Sequence, residues 1–294
     1  MKNKSIFYIL LTALCFGTME IALKLGGSAF TPLQLTFLRF LIGGLFLLPF
    51  ALRDAKKRAL KLTAGDVGYL TLLGVTGVCL SMTLFQLGVM RCNANTAAVV
   101  ISTNPVFTML FAWLLLHDAF TWRKAIVLIV SVLGLVFVAN PLNMAEGNTA
   151  AGVALVAAAA VLFGLYTALG KKRVGKLGGM VQNAGSFLIA SVIELIVLLV
   201  KGEPVVSGMS GSALPVLLYT GVVVTGVGYF AYLRAIELAG PSNASIAFFI
   251  KPVIAVILAA LILSEPITWN VVAGVALVLT GSIINLTGKK TQKP

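Results

Sequence analysis

Lys251 lies within a long apolar stretch of the sequence, where a charge is costly to bury and usually functional. Pro252 follows it directly and cannot donate a backbone hydrogen bond, so the carbonyl of Phe248 loses its usual helical partner. A free carbonyl beside an ammonium group makes a polar site within an apolar segment. We therefore predict that Lys251 contacts a carboxylate or another anionic group. The alternative is a lysine that only pairs with a neighbouring carboxylate and holds helices together.

Glu20 is the second candidate. It lies four residues before Lys24, so the two side chains share one face of a helix and can pair. A carboxylate in an apolar stretch is also suited to carry a proton, or to partner Lys251 or Arg39. Arg39 itself either binds an anionic group or extends its head to the membrane surface. The sequence leaves a structural Glu20–Lys24 pair and a functional Glu20 open.

The two halves of the sequence match each other at an offset of 147 residues, half of the length of 294. The matching pairs include Pro105 and Pro252, Trp122 and Trp269, and Gly134 and Gly281. At this offset Asn104–Pro105 corresponds to Lys251–Pro252, about ten residues into the fourth apolar stretch of its half. We predict a helix break at each proline and one site between them. Two purely mechanical kinks are the alternative.

Composition places the chain among integral membrane proteins. Hydrophobic residues make up 59% and charged residues 11%, whereas a soluble domain carries about 25% charged residues. A helix that crosses the bilayer core needs about 20 apolar residues. Stretches of suitable length lie at 5–25, 32–52, 66–90, 94–116, 122–140, 149–170, 177–200, 213–235, 241–263 and 267–287. We predict an all-α protein of ten transmembrane helices in two repeats, 1–147 and 148–294, the second inverted because each repeat has an odd number of helices.

Lysine and arginine are concentrated in alternate connections between the apolar stretches. The positive-inside rule assigns these connections to the cytoplasm, so we predict that both termini are cytoplasmic. The net charge of +13 is thus spread over short connections, and no nucleic-acid partner is expected. The 3 cysteines have no metal-ligand spacing and the 1 histidine, His117, lies at a loop boundary, so we expect no metal, no cofactor and no catalytic cluster. We expect a multi-pass protein of a prokaryotic cytoplasmic membrane, in contact with lipid, for which an oligomer is not required.

Other polar or aromatic side chains in the apolar stretches could line a pocket. Those selected are Gln86, Trp113, Tyr166 and Tyr229. Tyrosine and tryptophan also populate membrane interfaces, which is the alternative for three of the four. Glu194 lies alone in the apolar run 188–200, and the sequence names no partner for it.

The sequence resembles the EamA type of the drug/metabolite transporter superfamily over nearly its whole length. The first shared motifs are an aromatic–Gly pair with a lysine seven residues later (Phe16–Gly17 and Lys24) and a proline followed by arginine (Pro32 and Arg39). The others recur in each half as proline, acidic residue and glycine: Pro105, Asp118 and Gly134, then Pro252, Glu265 and Gly281. The resemblance implies ten helices in two inverted halves, a central cavity, alternating access and transport of small organic solutes.

Two departures from the family pattern bear on the substrate. Phe16 replaces the usual tryptophan of helix 1, and Lys251 and Glu20 stand where many members carry neutral residues. They favour a charged or zwitterionic solute. We expect a secondary carrier for a small polar metabolite, such as an amino acid or another zwitterion or anion, with coupling to protons as one form. A facilitator for an uncharged metabolite, gated by Glu20 and Lys251, is the alternative, and an intramembrane enzyme is the remote one.

Overall fold

The computed structural model describes residues 2–140, 143–206, 210–211, 213–244 and 246–287, and throughout these ranges the regular structure is helical. The first half contains α1 (Lys2–Gly17), α2 (Met19–Gly26), α3 (Pro32–Lys57), α4 (Ala64–Gly74), the π-helix π1 (Val75–Met82), α5 (Thr83–Val89), α6 (Ala94–Ile101), α7 (Asn104–Leu116) and α8 (Trp122–Ala139). The second half contains α9 (Ala150–Leu177), α10 (Gly179–Lys201), α11 (Ala213–Leu218), the π-helix π2 (Tyr219–Val227), α12 (Gly228–Ala239), α13 (Pro241–Ala244), α14 (Ala247–Leu263) and α15 (Trp269–Thr287).

Within the described ranges, 8 helical segments are long and apolar enough to cross a membrane. They are Asn3–Gly26, Pro32–Lys57, Ala64–Val89, Ala94–Leu116, Trp122–Ala139, Ala150–Leu177, Gly179–Lys201 and Ala213–Ala239. Two shorter apolar helices follow, Ala247–Leu263 and Trp269–Gly281. The all-helical prediction is confirmed. The count of ten crossings stays a prediction.

Helix starts follow the local sequence. Thr31 caps α3: its hydroxyl accepts from the Gln34 amide, the Gln34 side chain accepts from the Thr31 amide, and Pro32 occupies the first turn. Thr63 and Asp66 form the same reciprocal cap at the start of α4. These caps fix where the second and third spans begin, and therefore how far along each span its polar residues lie.

The halves are related by a two-fold arrangement of contacts. The first span of each half packs against the third and fourth spans of the other half: α1 against α12 and α14, and α9 against α5, π1 and α7. A methyl group added at Gly17 would lie 2.7 Å from Ile254, and one added at Gly164 would lie 2.6 Å from Phe107. At the offset of 147, Gly17 corresponds to Gly164 and Phe107 corresponds to Ile254, so the two contacts are equivalent. Such reciprocity is the signature of a two-fold relation.

The π-helices obey the same symmetry. Shifted by the offset of 147, π1 overlaps π2, so each half carries a π-helix at the middle of its third span. π-Helical turns are rare and occur mostly near functional sites. Thr225 in π2 shows the wider turn directly, because its hydroxyl donates to the Thr220 carbonyl five residues earlier at 2.8 Å.

The predicted helix breaks lie elsewhere than at the prolines. In the first half the break is at Ser102–Thr103, and Pro105 occupies the first turn of α7, where a missing N–H costs nothing. In the second half the interruption separates α13 from α14, and Pro252 lies inside α14. The break predicted at Pro105 thus lies directly before that proline, whereas α14 continues through Pro252 without a break.

Candidate functional site

A buried ion pair joins the two halves. Lys251 Nζ lies 2.7 Å from Glu20 Oε1, and the side chains are 5% and 0% exposed, respectively. Glu20 is in the first turn of α2, and Lys251 is in α14 directly before Pro252. At this distance the ammonium and carboxylate groups neutralise each other directly. The sequence left several partners open for Glu20, and in the structure its partner is Lys251.

A break in the first span positions Glu20. Helix α1 ends at Gly17 and α2 begins at Met19, with Thr18 between them. The Thr18 hydroxyl lies 3.0 Å from the Cys15 carbonyl and 2.7 Å from the hydroxyl of Tyr219, the first residue of π2. The break of one half is therefore tied to the π-helix of the other half, next to the carboxylate.

Lys24 does not pair with Glu20 in the structure, which excludes the structural Glu20–Lys24 alternative. Its ammonium group lies 3.1 Å from Glu265 Oε1 and donates to the Cys92 carbonyl at 2.9 Å. The Glu265 carboxylate also accepts from the amides of Ala94 and Asn95, at 2.7 and 3.0 Å, at the start of α6. A carboxylate at a helix N-terminus is well placed, because free amides and the helix dipole both favour it. Lys24 thus belongs to a separate group of contacts.

Arg39 is buried, with 2% of the residue exposed, so it does not extend to the membrane surface. Its guanidinium carbon lies 4.6 Å from the centre of the Phe40 ring. Nε and Nη1 are buried without a hydrogen-bond partner. Glu20, Glu194 and Tyr229 all lie within electrostatic range of the group.

Glu194 is the site residue whose role the sequence could not predict. It is 1% exposed in α10, and its Oε1 accepts from the Thr83 hydroxyl at 3.0 Å. Its other carboxylate oxygen, Oε2, is buried without a hydrogen-bond partner. The donor lies on another span, so no local spacing could have identified it.

The four buried charges alternate in sign along a chain of neighbours. Lys251 contacts Glu20, Glu20 lies within electrostatic range of Arg39, and Arg39 within range of Glu194. They come from α14, α2, α3 and α10, and the set is neutral when all four groups are ionised. We call these four residues the charge chain. Its neutrality lowers the cost of burying the four charges. Arg39 and Glu194 still carry atoms that have no hydrogen-bond partner and could bind one.

Aromatic rings flank the charge chain. The ring of Tyr229 lies 5.2 Å from that of Phe16 and 5.0 Å from that of Phe187. Phe187 also contacts Phe40 at 4.8 Å, beside the guanidinium of Arg39. Tyr229 therefore lies beside the buried charges, and the rings help to exclude water there.

The other sequence-selected residues lie apart from the charge chain or at its edge. Gln86 donates to the Leu23 carbonyl at 3.2 Å, and Tyr166 donates to Asn183 at 3.0 Å. Asn104 is buried at the start of α7, next to the break that precedes it. Trp113 is 41% exposed and packs on Phe120 with ring centres 4.9 Å apart, so it is a surface residue of α7.

Comparisons with known proteins agree with this architecture. The chain belongs to the EamA-like transporter family, which matches residues 3–140 and, a second time, residues 150–287. An uncharacterized transporter of Clostridium kluyveri is 41% identical over 294 residues, which cover 98% of this chain and 94% of the relative. A probable terminal-alkyne amino-acid exporter of Streptantibioticus cattleyicolor is 23% identical over 272 residues, 90% of this chain and 86% of that protein.

A solved crystal structure shares the fold. Its TM-score is 0.69 at 16% sequence identity, and the match covers 99% of this chain and 98% of the other chain. Family membership and the apolar helices together define a multi-pass membrane transporter.

Proposed function

We propose that the chain is a secondary carrier that moves a small zwitterionic metabolite of the amino-acid type across a prokaryotic cytoplasmic membrane by alternating access, with coupling to protons. The observation that carries this proposal is the buried Glu20–Lys251 pair at 2.7 Å, because it joins the first span of one repeat to the fourth span of the other. A buried pair at such a joint is a contact that must change when the repeats move.

The chemistry of the pair supports coupling. The two charges neutralise each other in the closed arrangement, and removing either one leaves the other buried and uncompensated. A proton on Glu20 or a charged solute that competes for either partner relieves that constraint. Opening of the pair is thereby linked to the arrival of a proton or a solute, which is what a coupled carrier requires.

The two-fold contacts support alternating access. Carriers of this architecture place their site between two repeats and open it to each side in turn. Five spans per repeat would invert the second repeat, and the distribution of lysine and arginine supports a cytoplasmic location for both termini. Under this topology Lys24 lies at the outer end of the molecule and Lys171 at the cytoplasmic end.

The substrate class has two supports. A site with both buried signs of charge suits a solute that carries both, and the Streptantibioticus cattleyicolor relative is described as a probable amino-acid exporter. A facilitator for an uncharged metabolite is the second candidate. It is favoured by the mutual satisfaction of Glu20 and Lys251, which could serve purely as a gate.

Transport measurements in proteoliposomes distinguish the candidates. The panel is the twenty radiolabelled amino acids plus glucose and uridine as neutral solutes, each with and without an imposed pH gradient. We expect uptake of at least one amino acid to respond to the gradient, and Glu20→Gln to abolish that response. Glu237→Gln is the matched control, because this carboxylate pairs with Arg234 at 2.7 Å on the exposed surface. Gradient-independent transport of a neutral solute alone would establish the facilitator instead.

A further inference from the structure

Arg39 and Glu194 lie at the same level of two packed helices. Helices α3 and α10 are antiparallel: the Thr31 hydroxyl donates to Glu203 at 2.9 Å near one end, and a methyl group added at Gly44 would lie 2.9 Å from Leu188. These two contacts bracket Arg39 on α3 and Glu194 on α10. The two charges therefore face the same layer of the interface.

The pair is nevertheless incomplete. Within the described residues, neither group belongs to a direct ion pair, although each lies in the electrostatic range of the other. Arg39 keeps two buried donors without partners and Glu194 keeps one buried acceptor. Glu20 and Lys251, in contrast, already contact each other. Buried charged groups normally have partners, so the empty positions at Arg39 and Glu194 indicate that a ligand supplies them.

We propose that Arg39 and Glu194 are the substrate-binding pair of the charge chain. The guanidinium of Arg39 receives a carboxylate, for which its planar donors are suited, and the carboxylate of Glu194 receives an ammonium group. A zwitterion with both groups on neighbouring atoms would supply a partner to each of the two side chains. This assignment rests on the proposed carrier function and gives Glu20–Lys251 the separate task of coupling.

Ligand derivatives test the assignment one contact at a time. Thermal shifts of the purified protein are first measured with each of the twenty amino acids. Dissociation constants are then measured for the amino acid that binds most strongly, for its N-acetyl derivative and for its amide. The acetyl derivative lacks the ammonium group and the amide lacks the carboxylate. We expect each loss to weaken binding to the unmodified protein by about ten- to hundredfold, the range for one hydrogen-bonded charge.

The variants should remove this discrimination selectively. In Glu194→Gln the acetyl derivative should bind nearly as well as the parent amino acid, and in Arg39→Gln the amide should do so. If Arg39→Gln does not fold, Arg39→Lys replaces it, because lysine keeps the positive charge but lacks the planar pair of donors that binds a carboxylate. Should the parent amino acid bind and both variants discriminate as before, the Arg39–Glu194 assignment is overturned and the carrier function stands. If no amino acid binds, the zwitterionic substrate class itself is wrong.

A second inference rests on two ion pairs that are related by the symmetry of the halves. The Lys24–Glu265 contact of 3.1 Å has a counterpart, Lys171–Asp118 at 2.8 Å, and both residues correspond at the offset of 147. Each pair links the first span of one half to the segment that follows the fourth span of the other half. The two-fold relation that places the repeats therefore also produces an ion pair at each end of the interface between them.

The two pairs differ in strength. Lys24 and Glu265 side chains are 29% and 6% exposed, and the Glu265 carboxylate also holds the amides of Ala94 and Asn95. Lys171 and Asp118 are 58% and 39% exposed, and exposed ion pairs contribute little stability. At the second end Pro241 occupies the position equivalent to Ala94 and has no amide hydrogen to donate. The Lys24 end is thus the more firmly closed.

We infer that these pairs are latches, both closed in this structure, that open in turn: Lys24–Glu265 holds one end of the interface and Lys171–Asp118 holds the other. A native cysteine reports on the first latch. Cys92 is 1% exposed and supplies the carbonyl that accepts from Lys24, and burial raises the pKa of its thiol to about 12, so it should react slowly with maleimide. The equivalent position in the other half is Ala239.

The test measures maleimide labelling in nanodiscs, where the reagent reaches both faces, with Cys15 and Cys79 replaced by alanine. One reporter is Cys92, and the other is Ala239→Cys combined with Cys92→Ala. Lys24→Met should accelerate labelling at Cys92 about tenfold and slow it at residue 239, and Lys171→Met should do the reverse. Reciprocal change is the decisive result. Acceleration at one reporter with no slowing at the other would indicate local loosening and overturn the latches, whatever the substrate proves to be.

Discussion

Glu20 in α2 and Lys251 in α14 approach to 2.7 Å across the boundary between the two repeats, and both side chains are almost fully buried. Neither finds its partner on its own helix. The pair therefore exists only when the halves are assembled, and it couples the arrangement of the halves to the charge state of one site. Thr18, two residues before Glu20, adds a second link through the hydroxyl of Tyr219.

Breaking this pair on one side should destabilise the protein more than removing it entirely. We expect Glu20→Gln or Lys251→Met alone to cost about 3–5 kcal/mol of unfolding free energy, because each leaves a buried charge unpaired. The double variant should cost less than either single variant, because it leaves no buried charge of this pair unpaired. Thermal and denaturant unfolding in detergent measure the three variants, and strictly additive losses would contradict a direct interaction.

The symmetric helix crossings should respond to added volume. Gly164→Ala would place a methyl group 2.6 Å from Cβ of Phe107 and 2.8 Å from its backbone carbon, and Gly17→Ala would meet Ile254 at 2.7 Å. Overpacking of this kind costs about 1–3 kcal/mol. Gly68→Ala is the matched control, since nothing lies within 4 Å of the added group. Melting temperatures should fall for the first two and stay level or rise for the control.

Thr83 should support Glu194 through a single hydrogen bond. Thr83→Val keeps the shape of the side chain and removes the donor that lies 3.0 Å from Glu194 Oε1. We expect a loss of about 1–3 kcal/mol, the cost of a buried acceptor without a partner. Thr71→Val serves as the control, because the Thr71 hydroxyl is exposed and donates to the Val67 carbonyl of its own helix. Equal effects of the two substitutions on unfolding would count against this role.

Aromatic residues near the charges should matter for transport, while those on the surface should not. Tyr229→Ala removes the ring between Phe16 and Phe187, and we expect uptake to fall about tenfold or more. Trp113→Ala should leave uptake within about twofold, because its ring lies on the exposed face of α7. Initial rates in proteoliposomes, normalised to incorporated protein, give the comparison. A larger loss from Trp113→Ala would place the pathway elsewhere.

Much of the fold could be read from the sequence, because hydrophobicity is a local property that sums along the chain. The apolar stretches predicted the helices, and the offset of 147 predicted a duplication that reappears in the packing of Gly17 on Ile254 and of Gly164 on Phe107. The charged candidates were also visible, since Glu20 and Lys251 interrupt apolar runs and the cost of burying them needs no structure to recognise.

Only the tertiary structure decided which of these charges meet. Lys24 satisfies the helical spacing for Glu20 yet bonds to Glu265, and Arg39 is long enough to reach the surface yet stays buried beside Phe40. Glu194 also interrupts an apolar run, but its partners could not be predicted, because its donor and its opposite charge lie on other spans. The physical reason is the distance over which each property is determined. Burial cost is set by the residue and its neighbours in sequence, whereas pairing depends on a few ångströms between helices that only assembly of the two halves brings together.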